Sequence, residues 1–135
     1  MALLYGELQP VPEETARQRN PLQLAYLGDA VWELMVCGLL MQQNLNVRHM
    51  HKEAISRVSA RAQAACWQRI QPQLTDAEAA VAQRARNSHV HHSVPKNQDP
   101  ADYAAATALE CLFGYLYLTG QEERMRCLFR LSQEE

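Results

Sequence analysis

The chain has 135 residues, 47% of them apolar, which suits one globular domain with a sizeable core and argues against disorder. Its formal net charge of −2 excludes a uniformly basic nucleic-acid binder, but the charge is unevenly spread. Residues 48–97 hold eight Lys and Arg against three acids, while the remainder holds five against twelve. A positive middle on an acidic chain fits phosphate contact on one face, and equally an ordinary solvated surface.

Residues 1–20 are interrupted by Pro10 and Pro12 and read as an N-terminal extension with room for one short helix. They show no basic start followed by an apolar run, so no signal peptide is expected, and no run of about 18 uncharged apolar residues suggests a membrane span. Asn20-Pro21 has the form of an N-cap followed by proline at the first helical position. The nearly continuous apolar stretch behind it is too long for a strand and predicts a buried helix over 22–42. A second helical region is expected from 47 to 71, ended by Pro72. Thr75-Asp76-Ala77-Glu78 is a capping box that opens a helix through Arg86. Residues 87–98 are polar, carry Pro95 and read as a loop. Asp99-Pro100 repeats the cap-and-proline start for a long helix to Leu118, stopped near Gly120, and a short helix over 121–132 completes the chain. No period-two strand pattern appears, so the expected fold is all-α. Cys37, Cys66, Cys111 and Cys127 form no CxxC pair and lie in apolar surroundings. They read as reduced core residues of a cytoplasmic protein.

Two of the apolar helices contain isolated acids. Asp29 follows Gly28 in the middle of the 22–42 helix, a pairing of two poor helix formers, and Ala25, Asp29 and Glu33 share one face. Glu110 is the single charge between Tyr103 and Gly120, on a narrow face with Thr107 and Gly114. A carboxylate inside an apolar helix is expensive unless it is paired or holds a cation, although a hydrogen-bonded or water-facing acid is the plainer explanation. If the two helices pack with Asp29 opposite Glu110, a cation between them relieves the repulsion, and hard oxygen donors without His or Cys suit Mg²⁺.

The stretch LAYLGDAVWEL resembles the ribonuclease III signature, and TALECLFGYLYL resembles that family's second metal-binding helix. Between them, HKEAISRVSARAQA, RARNS and VPKNQD are similar to segments of the nuclease-domain-only branch, Mini-ribonuclease III. The resemblance spans about residues 21–130, nearly the whole chain. It implies a ribonuclease III-type helical endonuclease domain over 21–135, behind the 1–20 extension and without a separate domain for double-stranded RNA. It also implies Mg²⁺-dependent hydrolysis of double-stranded RNA, with Asp29 and Glu110 as catalytic metal ligands. The ordinary family has further acids where this chain has Ala25 and Thr107. Both departures match the Mini branch, and with fewer charged ligands the ion should be held more loosely.

The same resemblance implies a homodimer with Tyr26 at the two-fold interface. Leu27, Val31 and Trp32 could extend that surface, with monomer core the better reading for Trp32. The implied substrate is the stalk of precursor large-subunit ribosomal RNA, and a ribosomal protein on that RNA is a further partner. A nuclease domain alone must grip RNA through backbone phosphates and 2′-hydroxyls. The candidates are Lys52, Arg57, Arg61, Arg84, Arg86, Asn87, Lys96 and Asn97, with Arg84, Arg86, Lys96 and Asn97 foremost because they lie in motif-like segments. His89, His91 and His92 lack a matched second pair and are not read as a zinc site. Two other functions share the expected fold class: a catalytically silent RNA-binding or ribosome-associated module, and a Mg²⁺-dependent nucleotide pyrophosphohydrolase. Retention of both Asp29 and Glu110 argues against the first. The absence of dense Glu-x-x-Glu clusters on the paired helices argues against the second.

Overall fold

A computed structural model describes residues 9–88 and 96–134. Seven α-helices follow one another: α1 Glu13–Arg17, α2 Pro21–Met41, α3 Val47–Val58, α4 Ala60–Ile70, α5 Asp76–Asn87, α6 Pro100–Leu118 and α7 Glu122–Ser132, with one 3₁₀ turn, Gln71–Gln73, after α4. The described residues contain no strand, and the all-α expectation holds.

The helix starts are set by local chemistry. Asn20 Oδ1 accepts from the Leu22 amide at 2.9 Å and opens α2. Asp99 Oδ1 accepts from the Ala101 amide at 2.7 Å and does the same for α6. At α5 both arms of the capping box form: Thr75 Oγ1 accepts from the Glu78 amide at 3.2 Å, and Glu78 Oε1 accepts from the Thr75 amide at 2.9 Å. The single helix expected over 47–71 is two. Ser59 leaves the helical region (φ −65°, ψ 155°), ends α3, and caps α4 by accepting from the Ala62 amide at 3.2 Å. No proline or glycine marks this break.

Helix α6 is the axis of the molecule. From Ala105 to Leu116 every residue but Glu110 is buried, and α2, α4 and α5 pack around it. Trp32 of α2 meets Phe113 of α6 and Phe129 of α7 edge-on, with ring centroids at 5.0 and 5.1 Å. The N-terminal segment lies against the far end of α6. The Val11 amide donates to the Leu118 carbonyl at 2.8 Å, and Tyr115 Oη pairs with Glu13 Oε1 at 3.1 Å.

By length and composition α2 could cross a membrane. Here it is a core helix, burying Leu24, Ala25, Val31, Trp32, Val36 and Leu40, while Tyr26, Leu34, Cys37 and Met41 lie on its outer face. Two expectations change with that geometry. Cys37 is exposed and Cys127 half-buried, so the cysteine core is Cys66 and Cys111; all four thiols are free. Val31 and Trp32 turn inward and cannot extend a surface around Tyr26.

Candidate active site

Helices α2 and α6 approach to backbone contact. A Cβ on Gly28 would overlap the Glu110 carbonyl, and one on Gly114 would overlap the Leu24 carbonyl. This is why Gly28 stands in the most apolar helix of the chain: the crossing admits no side chain at either point. The close approach fixes the next residues along. Asp29, exposed on α2, comes within hydrogen-bond reach of the half-buried Glu110 of α6.

The electrostatics follow from this juxtaposition. Burial, then the hydrogen bond and charge of Asp29, then the more distant charge of Glu33, push the Glu110 carboxyl up to about 8. The opposing influence comes from Gln63 of α4, whose Nε2 donates to Glu110 Oε2 at 3.3 Å. Two carboxyls sharing one place cannot both ionise without a proton or a cation between them. Among the described residues no group of three or more His, Cys, Asp or Glu gathers, so the centre is the Asp29–Glu110 carboxyl pair with the Gln63 amide beside it.

Glu110 opens onto a cavity of about 190 Å³ lined with Gln63, Gln98, Tyr103 and Thr107 among others. Thr107, standing where the ordinary family carries an acid, turns its hydroxyl to the Tyr103 carbonyl of its own helix at 2.9 Å. Ala25, at the other departure, is buried. A second cavity of about 420 Å³, lined with Ser59, Arg61, Asn97, Asp99 and Asp102, shares Ala60 and Gln98 as a wall with the first.

The candidate RNA-contact residues separate into groups. Arg61 and Asn97 line the second cavity, beside the carboxylate pair, and the exposed Lys96 precedes Asn97. Arg84 and Asn87 line a different hollow, about 340 Å³, with Pro21 and Ser88 at the start of α2. Arg84 also donates to the Arg17 and Arg19 carbonyls, so part of its donor set ties α5 to the α1–α2 turn. Arg86 is half-buried near the end of α5. On α3, Lys52 is exposed, while Arg57 donates to Gln133 Oε1 at 2.9 Å and faces Glu53 at 3.8 Å. His89, His91 and His92 lie outside the described residues. Tyr26 is 84% exposed on the outer face of α2.

The sequence reading did not single out Gln63, Gln98 or Tyr103. The available signal was position: Gln63 falls on the inward stripe of α4 with Cys66, Trp67 and Ile70.

Residues 22–121 match the family model for the ribonuclease III domain, which is most of the chain. A Mini-ribonuclease 3 from Symbiobacterium thermophilum is 47% identical over 106 residues, covering 78% of this chain and 81% of the relative. The chain belongs to the ribonuclease III family. A second Mini-ribonuclease 3, from Thermoanaerobacter sp., is 39% identical over 114 residues, covering 84% of this chain and 80% of that one. The crystal structure of a Fusobacterium nucleatum protein superposes with a TM-score of 0.77 at 30% identity, over 85% of this chain and 92% of the other. Membership places this chain in the Mini branch, as an endoribonuclease on the family's helical fold. Asp29, Gly28, Glu110 and Gly114 all lie inside the matched region, so the backbone crossing and the carboxylate pair sit within the shared domain.

Proposed function

We propose that this ribonuclease III-family enzyme cleaves double-stranded RNA by Mg²⁺-dependent phosphodiester hydrolysis at the Asp29–Glu110 pair. The single observation that carries the reading is the contact between these two acids, brought together from positions far apart in the chain by a glycine-on-glycine helix crossing. A carboxyl held near 8 beside a second carboxyl is a site whose charged form requires a cation. The donor set fits Mg²⁺, which takes one or two protein carboxylates and fills its remaining positions with water and substrate phosphate. When bound, the ion supplies the positive charge that activates water and offsets charge at the scissile phosphate.

The chain's own residues do the rest. Asp29 and Glu110 hold the ion. Arg61 and Asn97, lining the cavity that adjoins the one at Glu110, with Lys96 preceding Asn97, contact the sugar-phosphate backbone, and Arg84 and Asn87, with Arg86 on the same helix, contact it farther along the duplex. The substrate by resemblance is the precursor stalk of large-subunit ribosomal RNA in the cytoplasm, with a ribosomal protein on that RNA as a further partner. Self-association through the outer face of α2 is supported by an exposed apolar row, Tyr26, Leu34 and Met41; Val47 and Ile55 of α3 are exposed apolar residues as well.

The test is cleavage of a double-stranded RNA in Mg²⁺ by the wild type, Asp29→Asn and Glu110→Gln. Each amide is expected to slow strand scission by at least about 100-fold while leaving duplex binding in place. Full-speed scission by either variant refutes the assignment.

A further inference from the structure

We propose that Gln63 is a positioning residue for Glu110, its side-chain amide holding the carboxylate in the orientation that receives the divalent cation. The inference rests on the reading of Asp29 and Glu110 as the metal ligands and extends it to a residue from a third helix.

Gln63 is only 2% exposed, and it is the one polar side chain among the buried positions of α4, beside Ala64, Cys66, Trp67 and Ile70. Burying a primary amide among apolar neighbours is unfavourable unless the amide has a partner. Its Nε2 donates to Glu110 Oε2 at 3.3 Å, and both residues line the same cavity. Glutamate has three side-chain torsions, and a carboxylate that must meet a small ion at a set place loses affinity if those torsions are free. Two neighbours could fix Glu110 along its own helix or across the crossing. Thr107, one turn back, gives its hydroxyl to the Tyr103 carbonyl instead. Asp29 is a like charge, attractive only while a proton is shared. Gln63 donates to the charged form, so its hold persists when the proton leaves and the ion enters. A neutral amide also adds no charge to a pair already strained by Glu33, which a carboxylate at this position would do.

The Ser59 break gives α4 its own direction, independent of α3. One turn of α4 then brings Gln63 over the site. Glu110 thus faces a second carboxyl from α2, Asp29, and a neutral donor from α4, Gln63, which holds it whether or not a proton is shared.

The test uses the full chain and Mn²⁺ as probe, with free Mn²⁺ counted by its electron paramagnetic resonance signal. Gln63→Leu is expected to weaken Mn²⁺ binding and lower kcat on double-stranded RNA by 10- to 100-fold, as loss of an outer hydrogen bond to a ligand does, with KM for RNA unchanged. A merely structural Gln63 would move Tm but not the Mn²⁺ affinity of the folded fraction. Gln63→Met, unbranched and of matching length, is the second variant where leucine disturbs packing. In the wild type the Gln63 side-chain amide resonances are expected to shift on Mg²⁺ titration, a measurement that needs no substitution. Wild-type Mn²⁺ affinity and kcat in both variants, or amide resonances indifferent to Mg²⁺, overturn the positioning role while leaving the carboxylate assignment intact. Unimpaired Mn²⁺ binding by Asp29→Asn and Glu110→Gln overturns the metal reading itself, and the positioning role with it.

Discussion

At the scale of single residues, the carboxylate pair makes a pH prediction that needs no RNA. Glu110 has an ordinary value of 4.5 when unfolded and one near 8 in the fold. Between those values the native state holds a proton that the unfolded chain has released, so stability falls as pH rises through the window and levels off above it. In a chelator, Tm is therefore expected to decline from about pH 5 to pH 8, and Glu110→Gln to flatten the decline. Millimolar Mg²⁺ is expected to raise the wild-type Tm at pH 8 and to do less for Glu110→Gln, because a ligand stabilises the state that binds it. A wild-type Tm that rises steadily over the same range in chelator would show that Glu110 is ionised in the native state. Part of this site was legible in the sequence. An Asp behind a Gly and a lone Glu, each inside an apolar helix, stand out because burial makes charge expensive there. Gln63 did not stand out. A glutamine in a helix rich in Gln and Arg looks like one more surface residue until α4 is seen to pack on α6.

At the scale of elements, the α2–α6 crossing is the part of the fold on which the site depends. Adding one methyl at Gly28 or Gly114 drives it into the opposing helix's backbone, which cannot move as a side-chain tip can. Gly28→Ala is expected to lose at least about 3 kcal/mol, the upper end for overpacking, and to separate Asp29 from Glu110. Urea unfolding followed by circular dichroism measures the first effect, and Mn²⁺ affinity the second. Gly38 has open space around it, so Gly38→Ala is the matched control and should be neutral or slightly stabilising. A second tie joins α5 to α7. Arg124 Nε donates to Glu78 Oε2 at 2.8 Å, Nη2 donates to Glu78 Oε1 at 2.9 Å, and the same Nη2 reaches the Gln73 carbonyl at 2.8 Å. Burial alone would raise the Glu78 carboxyl, but the bonds from Arg124 and Thr75 outweigh it and hold it below the ordinary range. Arg124→Met removes the partner of a buried charge and is expected to destabilise the chain by about 3 kcal/mol. Because a lowered carboxyl contributes stability above its unfolded value and loses it on acidification, that deficit should shrink below about pH 4. The caps at Asn20, Thr75 and Asp99 were readable because each is a side-chain-to-backbone bond within two or three residues. The break at Ser59 was not read, although Ser59 caps α4 by the same kind of short-range bond, because a serine inside a continuous helix-forming stretch has no proline or glycine to mark a stop, and α3 and α4 diverge to pack on different neighbours.

At the scale of the whole molecule, which helix lies beside which could not be read from periodicity, and the same gap applies to the outer face of α2. Tyr26, Leu34 and Met41 are 84%, 57% and 69% exposed and recur at the spacing of one helix face, with Ala30 and Cys37 between them. Apart from the face with Asp29 and Glu33, the sequence shows α2 only as apolar and does not say which side is buried. The fold shows that one side of it is buried on α6 and the other is left to solvent. Exposed apolar rows of this kind mark interaction surfaces, and under the proposed self-association a two-fold contact would bury the same row on both copies. Asp29 and Glu33 are exposed on the same helix as the row, so two copies joined there would carry their carboxylate pairs on neighbouring surfaces, one for each strand of a duplex. Leu34→Glu puts a charge into the middle of that row twice over. It is expected to weaken self-association by about 100-fold or more, and to leave Tm nearly unchanged at concentrations where the wild type is already dissociated. Light scattering across a concentration series measures the first effect. The accompanying change in products decides whether association serves the reaction. A dimer cutting both strands in one encounter releases a duplex break, whereas a monomer with an intact Asp29–Glu110 pair should leave single-strand nicks at a reduced rate. A wild type that remains monomeric at high concentration yet breaks both strands would assign the apolar row to another partner and the two cuts to successive visits.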